Sequence, residues 1–144
     1  MSDGKFVYVT YIATTPEKVW QALMDGELTR QYWKHENISD WTPGADWKLV
    51  ANDAARTVKH VGRVIECVPN QRLVITWADP VDAANPARHS RLAIAIEPSG
   101  AMVRMAVTHE ELTPEMEQKV TYGWPLVLSS LKSFLELGHP LVFW

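Results

Sequence analysis

Near the end of the chain, apolar side chains recur at three- and four-residue steps: Met116, Val120, Trp124, Val127, Leu131, Phe134 and Leu135. That spacing puts them on one side of a helix; Leu128 widens the stripe, while Gln118, Lys132 and Glu136 fall on the far side. Thr113-Pro114-Glu115 supplies the start: a capping hydroxyl, a proline at the first helical position, and an acid near the positive end of the dipole. Gly138, followed by His139 and Pro140, supplies the stop. Pro125 has no amide hydrogen and pushes Trp124 from helical dihedrals, so a kink or short break is expected over Thr121–Pro125. In a straight helix Tyr122 points opposite the stripe, which makes a ligand role for it doubtful.

Upstream, the period is mostly two. Phe6–Ala13, Ile38–Trp41, Asp46–Ala51, Val58–Val68, Arg72–Ala78, His89–Glu97 and Met102–Glu110 read as strands, about six or seven in all. Gly62 marks a bulge or a close approach inside the longest of them. The two-residue connection at Pro69-Asn70 implies an antiparallel hairpin. Asp79–Arg88 reads as a loop, because Pro80 and Pro86 interrupt any regular pattern. Two short helices follow the first strand: one opened by Thr15-Pro16 and closed at Gly26, the other over Leu28–Lys34. The order predicts an α+β fold, a curved antiparallel sheet whose concave side holds the long C-terminal helix. A cavity between helix and sheet is the expected by-product and the default site.

Composition sharpens this picture. At 144 residues, 47% apolar and 22% charged, the chain reads as one globular domain, 1–144, large enough for a core. A net charge of −3 without a basic run argues against a nucleic-acid partner. No apolar run reaches bilayer length, Met1–Lys5 has no leader core, and the lone Cys67 fits a reducing cytoplasm as a small buried hydrophobe. Seven tryptophans are more indole than packing alone demands and point to an aromatic-walled cavity. The apolar tail Leu141–Trp144 either packs back on the domain or buries in a second copy, as a homodimer.

The candidate chemistry is sparse. His35, His60, His89, His109 and His139 show no paired ligand spacing and one cysteine builds no thiolate site, so neither a metal nor another cofactor is expected. His109 shares a strand face with Val103, Met105 and Val107, as general base, ligand anchor, or a histidine satisfied by a backbone carbonyl, Glu110 or Glu111. His60 shares the Val58 and Val64 face if no bulge intervenes. Glu66 falls on the same face, where burial would raise its pKa toward acid–base work, unless it sits in water at an edge. Arg88 and His89 end the long loop at the expected cavity mouth. Trp33, Trp41, Trp47, Trp77 and Trp124 line the cavity in this reading, with Val64, Met105 and Leu128, and suit a flat hydrophobic ligand.

Thr14-Thr-Pro-Glu-Lys-Val-Trp-Gln-Ala-Leu23 resembles the opening block of the START/Bet v 1-like (SRPBCC) superfamily. Within it, Gly62-Arg-Val-Ile-Glu-Cys-Val-Pro-Asn-Gln-Arg-Leu-Val-Ile-Thr-Trp77 is similar to the corresponding segment of activator of heat shock protein 90 ATPase homologue 1-like proteins. Met102-Val-Arg-Met-Ala-Val-Thr-His109 and Gly123-Trp124 with Leu128 and Leu131 resemble the remaining blocks. The resemblance spans nearly the whole chain and implies a helix-grip fold with a hydrophobic pocket, although this superfold hosts many functions. Three readings follow: a carrier or sensor of a small hydrophobic molecule, a polyketide cyclase- or hydrolase-like enzyme using His109, His60 or Glu66, or a co-chaperone-like interaction module. Pro125 after Trp124, and the Trp-rich middle segment, depart from the family pattern.

Overall fold

The computed structural model describes residues 4–144. The leader-free reading of the N-terminus falls partly on Met1, Ser2 and Asp3, outside the described residues. The chain runs β1 (Phe6–Ile12), α1 (Pro16–Met24), α2 (Gly26–Trp33), β2 (His35–Ser39), β3 (Asp46–Ala51), β4 (Val58–Val68), β5 (Arg72–Trp77), β6 (Ser90–Ser99), β7 (Met102–Glu110) and α3 (Pro114–Leu137). The strands form one antiparallel seven-stranded sheet in the order β1-β7-β6-β5-β4-β3-β2, and α3 packs its stripe on the inner face. This is the helix-grip arrangement the pattern predicts.

The caps follow the sequence grammar. Thr15 and Thr113 accept from the amides of Lys18 and Met116 at 3.3 and 3.2 Å, and Gly138 closes α3 in the left-handed region. Asp25 ends α1 and caps α2 by accepting from Glu27 N at 2.9 Å, so Gly26 opens the second helix rather than closing the first.

Four departures matter. α3 runs as one 24-residue helix through Pro125, so of the two expected outcomes, a kink or a short break, the break does not occur. An interior proline costs roughly 3 kcal/mol. Trp124, Val127, Leu128 and Leu131 are all buried around it, and each such side chain returns roughly 1.5–3 kcal/mol. Tyr122 accordingly points to solvent, 76% exposed. Lys132 and Glu136, expected on the far side, instead clasp β1: Lys132 Nζ donates to the Tyr11 carbonyl and the Glu136 carboxylate accepts from Ala13 N at 2.7 Å.

The strand expected over Ile38–Trp41 lies earlier, at β2. Ser39 Oγ donates to Asp46 O at 2.8 Å and accepts from Trp41 N at 3.0 Å, and Trp41 adopts a left-handed φ of 59°, which ends extended pairing. The fourth departure is a bulge in β4. Val64 pairs with Ile75 but Glu66 with Val74, so Ile65 is an extra residue and the alternation inverts beyond it.

The tail divides between its two expected fates. Phe143 packs against the core and Leu141 N donates to Ser130 Oγ at 3.2 Å, while Val142 and Trp144 remain exposed. Among the described residues no helix is long and apolar enough to cross a membrane.

Candidate functional site

Alternation along β3, β4, β5 and β7 delivers Trp47, His60, Trp77 and His109 to the inner face, and α2 and α3 bring Trp33 and Trp124 against them. Trp77 is the hub. Its ring centroid lies 5.0 Å from Trp47, 4.6 Å from His60, 5.3 Å from His109 and 5.7 Å from Trp124, and Trp33 stacks obliquely on Trp124 at 5.6 Å. Aromatic pairs of this kind add about 0.5–1.5 kcal/mol each beyond area burial.

This crowding overturns one expectation. The space enclosed by Leu23, Tyr32, Trp33, Trp41, Trp47, Trp77, Trp124 and Leu128 is about 20 Å³, close to the room one water needs. The predicted hollow is filled by the indoles predicted to wall it. Polar locks hold the filling in place: Tyr32 Oη donates to Ala22 O at 2.9 Å, Ser130 Oγ to Tyr32 O at 2.6 Å, and Trp47 Nε1 to Asn37 Oδ1 at 3.1 Å.

An open recess of about 140 Å³ lies one layer outward, over the N-terminal half of α3. Trp33, Trp77, Trp124 and Val127 face both spaces and form the partition between them. Leu49, Val120 and Gly123 complete the apolar wall, and His35, Lys59, His60 and Lys119 give the rim its polarity. A Cβ placed on Gly123 would meet nothing within 4 Å, so the glycine leaves the recess open.

His109 is fully buried and fully satisfied. Trp124 Nε1–H donates to His109 Nδ1 at 3.1 Å. The ring proton therefore sits on Nε2, which donates to Ser90 Oγ at 2.9 Å, and that hydroxyl donates to Trp77 O at 2.7 Å. Burial pulls the imidazole down to about 3, with His60 a lesser cause. Both nitrogens are committed, so His109 aligns Trp124 and Trp77 rather than abstracting protons. Trp124→Phe, which strands His109 Nδ1 without its donor, is expected to cost about 2 kcal/mol in urea unfolding.

His60 differs. Its Nδ1 is buried without a hydrogen-bond partner, and the nearest carboxylate oxygen, Asp79 Oδ1, stands 3.7 Å away, beyond bonding reach. Burial outweighs that field and lowers the pKa to about 4, so the ring is neutral and forms no ion pair at neutral pH. Asp79 instead pairs with Lys119 Nζ at 3.4 Å. His35 is also held below its ordinary value by burial, its Nδ1 donating to Trp33 O at 3.0 Å.

The other expected site residues are scattered. Glu66 lies on the outer face, where the bulge turns it, pairing with Arg72 at 3.2 Å. His89 also lies outside: Nδ1 accepts from Thr76 Oγ1 at 3.1 Å and Nε2 donates to Asp82 O at 3.0 Å, which fastens the 79–88 segment to β5. Thr76 alternates with the inward Ile75 and Trp77, so a residue bound to its hydroxyl cannot reach the mouth. Val64 and Met105 are core side chains that line neither space. His109, His60 and Glu66 do not converge, and the acid–base set of the enzymatic reading is not assembled. Sequence reasoning missed His35, Leu49, Lys59, Lys119, Val120, Gly123 and Val127 as recess residues. Val120, Gly123 and Val127 share the stripe's spacing with Trp124, a signal that was present. Among the described residues no group of three or more His, Cys, Asp or Glu could hold a metal ion.

No curated protein matches the chain. Its fold is similar to that of CalU16 from Micromonospora echinospora, at 20% identity and a TM-score of 0.75 over 95% of this chain and 76% of that one. A dimeric Aha1 from Colwellia psychrerythraea is similar at 21% identity and a TM-score of 0.73, over 93% and 97% of the two chains. A Bordetella parapertussis protein reaches 0.76 at 21% identity, over 100% of this chain and 81% of that one. Residues 13–136 match the Activator of Hsp90 ATPase homolog 1-like protein family, and the chain belongs to it.

Proposed function

We propose that the chain, taken as one domain, binds a small hydrophobic or aromatic molecule in the recess beside Trp33, Trp77, Trp124 and Gly123, as a carrier or sensor. The observation that carries this reading is an open, mainly apolar space of about 140 Å³ against buried indoles. An apolar cavity of about 150 Å³ accommodates benzene, so the recess suits a single ring, and anything larger must displace the indole partition. The committed state of His109 and the outward Glu66 favour binding over a cyclase- or hydrolase-like reaction. The exposed Val142 and Trp144 supply apolar surface that a second copy could cover, and the similar Colwellia protein is a dimer.

Gly123→Leu tests the reading. The leucine fills open space and raises helix propensity, so the variant should be at least as stable as the parent, by up to about 1 kcal/mol. Single-ring aromatics should quench tryptophan emission and raise the parent's melting temperature, with about 2.7 kcal/mol of stabilisation at one hundred times Kd. Both responses should vanish in Gly123→Leu. No response from the parent, or an equal response from the variant, contradicts the proposal.

A further inference from the structure

Among the described residues the buried polar atoms of the core are paired with care, and two exceptions sit together. Trp47 Nε1 and Trp124 Nε1 both have acceptors, at 3.1 Å each, and the hydroxyls of Tyr32, Ser90 and Ser130 all donate to carbonyls. Trp77 Nε1 and His60 Nδ1 are buried with no partner. They belong to adjacent rings, centroids 4.6 Å apart, that both line the recess. A fold that satisfies its neighbouring indoles has no packing reason to strand this one, and an indole N–H can only donate.

We infer that the occupant of the recess is a single-ring aromatic carrying an acceptor oxygen, received by Trp77 Nε1–H and His60. This rests on the recess being a binding site, and adds the chemistry of the bound group. The neutral imidazole of His60 has one N–H to place. The carboxylate of Asp79, 3.7 Å from Nδ1, favours the tautomer that puts it there. Both atoms are sealed from water in the free protein, so an oxygen-bearing group meets these two donors by parting the recess lining. On the rim Asp79 offsets the charge of Lys119, and Lys59 adds positive charge of its own, so a carboxylate oxygen is accommodated as well as a neutral one.

The test compares benzene, phenol and benzoate on the full chain by calorimetric titration, phenol and benzoate separating a neutral from an anionic oxygen. At least one oxygenated probe should bind about tenfold or more tightly than benzene, the equivalent of about 1.4 kcal/mol. His60→Leu should retain benzene affinity within about threefold, since it keeps an apolar wall, and should lose most of the preference for oxygen. The inference is overturned if benzene binds as tightly as both oxygenated probes, or if His60→Leu keeps the full preference. Equal binding of all three leaves the recess a hydrophobic site without polar recognition. Binding of none removes the recess reading and this inference together.

Discussion

Gly62→Ala is expected to lower the unfolding free energy by at least about 3 kcal/mol in urea denaturation, within the range of strongly destabilising backbone substitutions. A Cβ on Gly62 would stand 1.9 Å from Thr76 O and 2.6 Å from Thr76 C, both backbone atoms of the neighbouring strand. Neither can swing aside as a flexible side chain would, so β4 and β5 must part. Thr76 Oγ1 accepts from Arg63 N at 2.9 Å, and Val61 bridges Ala78 on either side of the close approach. Glycine is there for proximity, since its φ lies outside the left-handed region. The strain would fall beside Trp77, so the altered stability should be accompanied by changed near-ultraviolet dichroism. A loss below about 1 kcal/mol would mean the strands separate at little cost.

Acidification from pH 7 to pH 5 is expected to remove about 4 kcal/mol, about 2 from each of His60 and His109. Burial lowers their folded pKa values to about 4 and about 3, below the ordinary 6.5. A group depressed on folding is charged more readily in the unfolded chain, so between these values the unfolded state holds more protons. The stabilisation is complete above about pH 6.5 and falls as pH drops toward the folded values. Glu36, held below its ordinary range by Arg56, loses its contribution only in the carboxylate range further down. Urea midpoints at pH 7, 6 and 5 should therefore fall steadily, and a flat profile would place both rings in water.

Much of the fold was legible because its signals are local. Thr15-Pro16 and Thr113-Pro114 state their helix starts within two residues, Asn70 takes the left-handed turn conformation at the tight hairpin, and period-two alternation marks the strands. Glu66 and His89 were misplaced for one reason. Alternation assigns a face only while the register is unbroken, and neither the extra residue Ile65 nor the hydrogen bonds of the 79–88 segment leave a mark on it. The filled interior was illegible for another. Side-chain identity says which indoles meet, but whether they wall a space or occupy it depends on how closely α3 approaches β5. The abundance of tryptophan foretold that indoles gather on the inner face and misjudged the volume they leave.

The most direct test of a ligand recess over Trp77 is the indole N–H spectrum during titration with phenol. The bonded indoles of Trp47 and Trp124 should hold their positions, while the Trp77 proton, without a partner in the free protein, moves downfield as it gains an acceptor. A Trp77 signal that stays fixed while only the exposed Trp144 responds would contradict binding at this site.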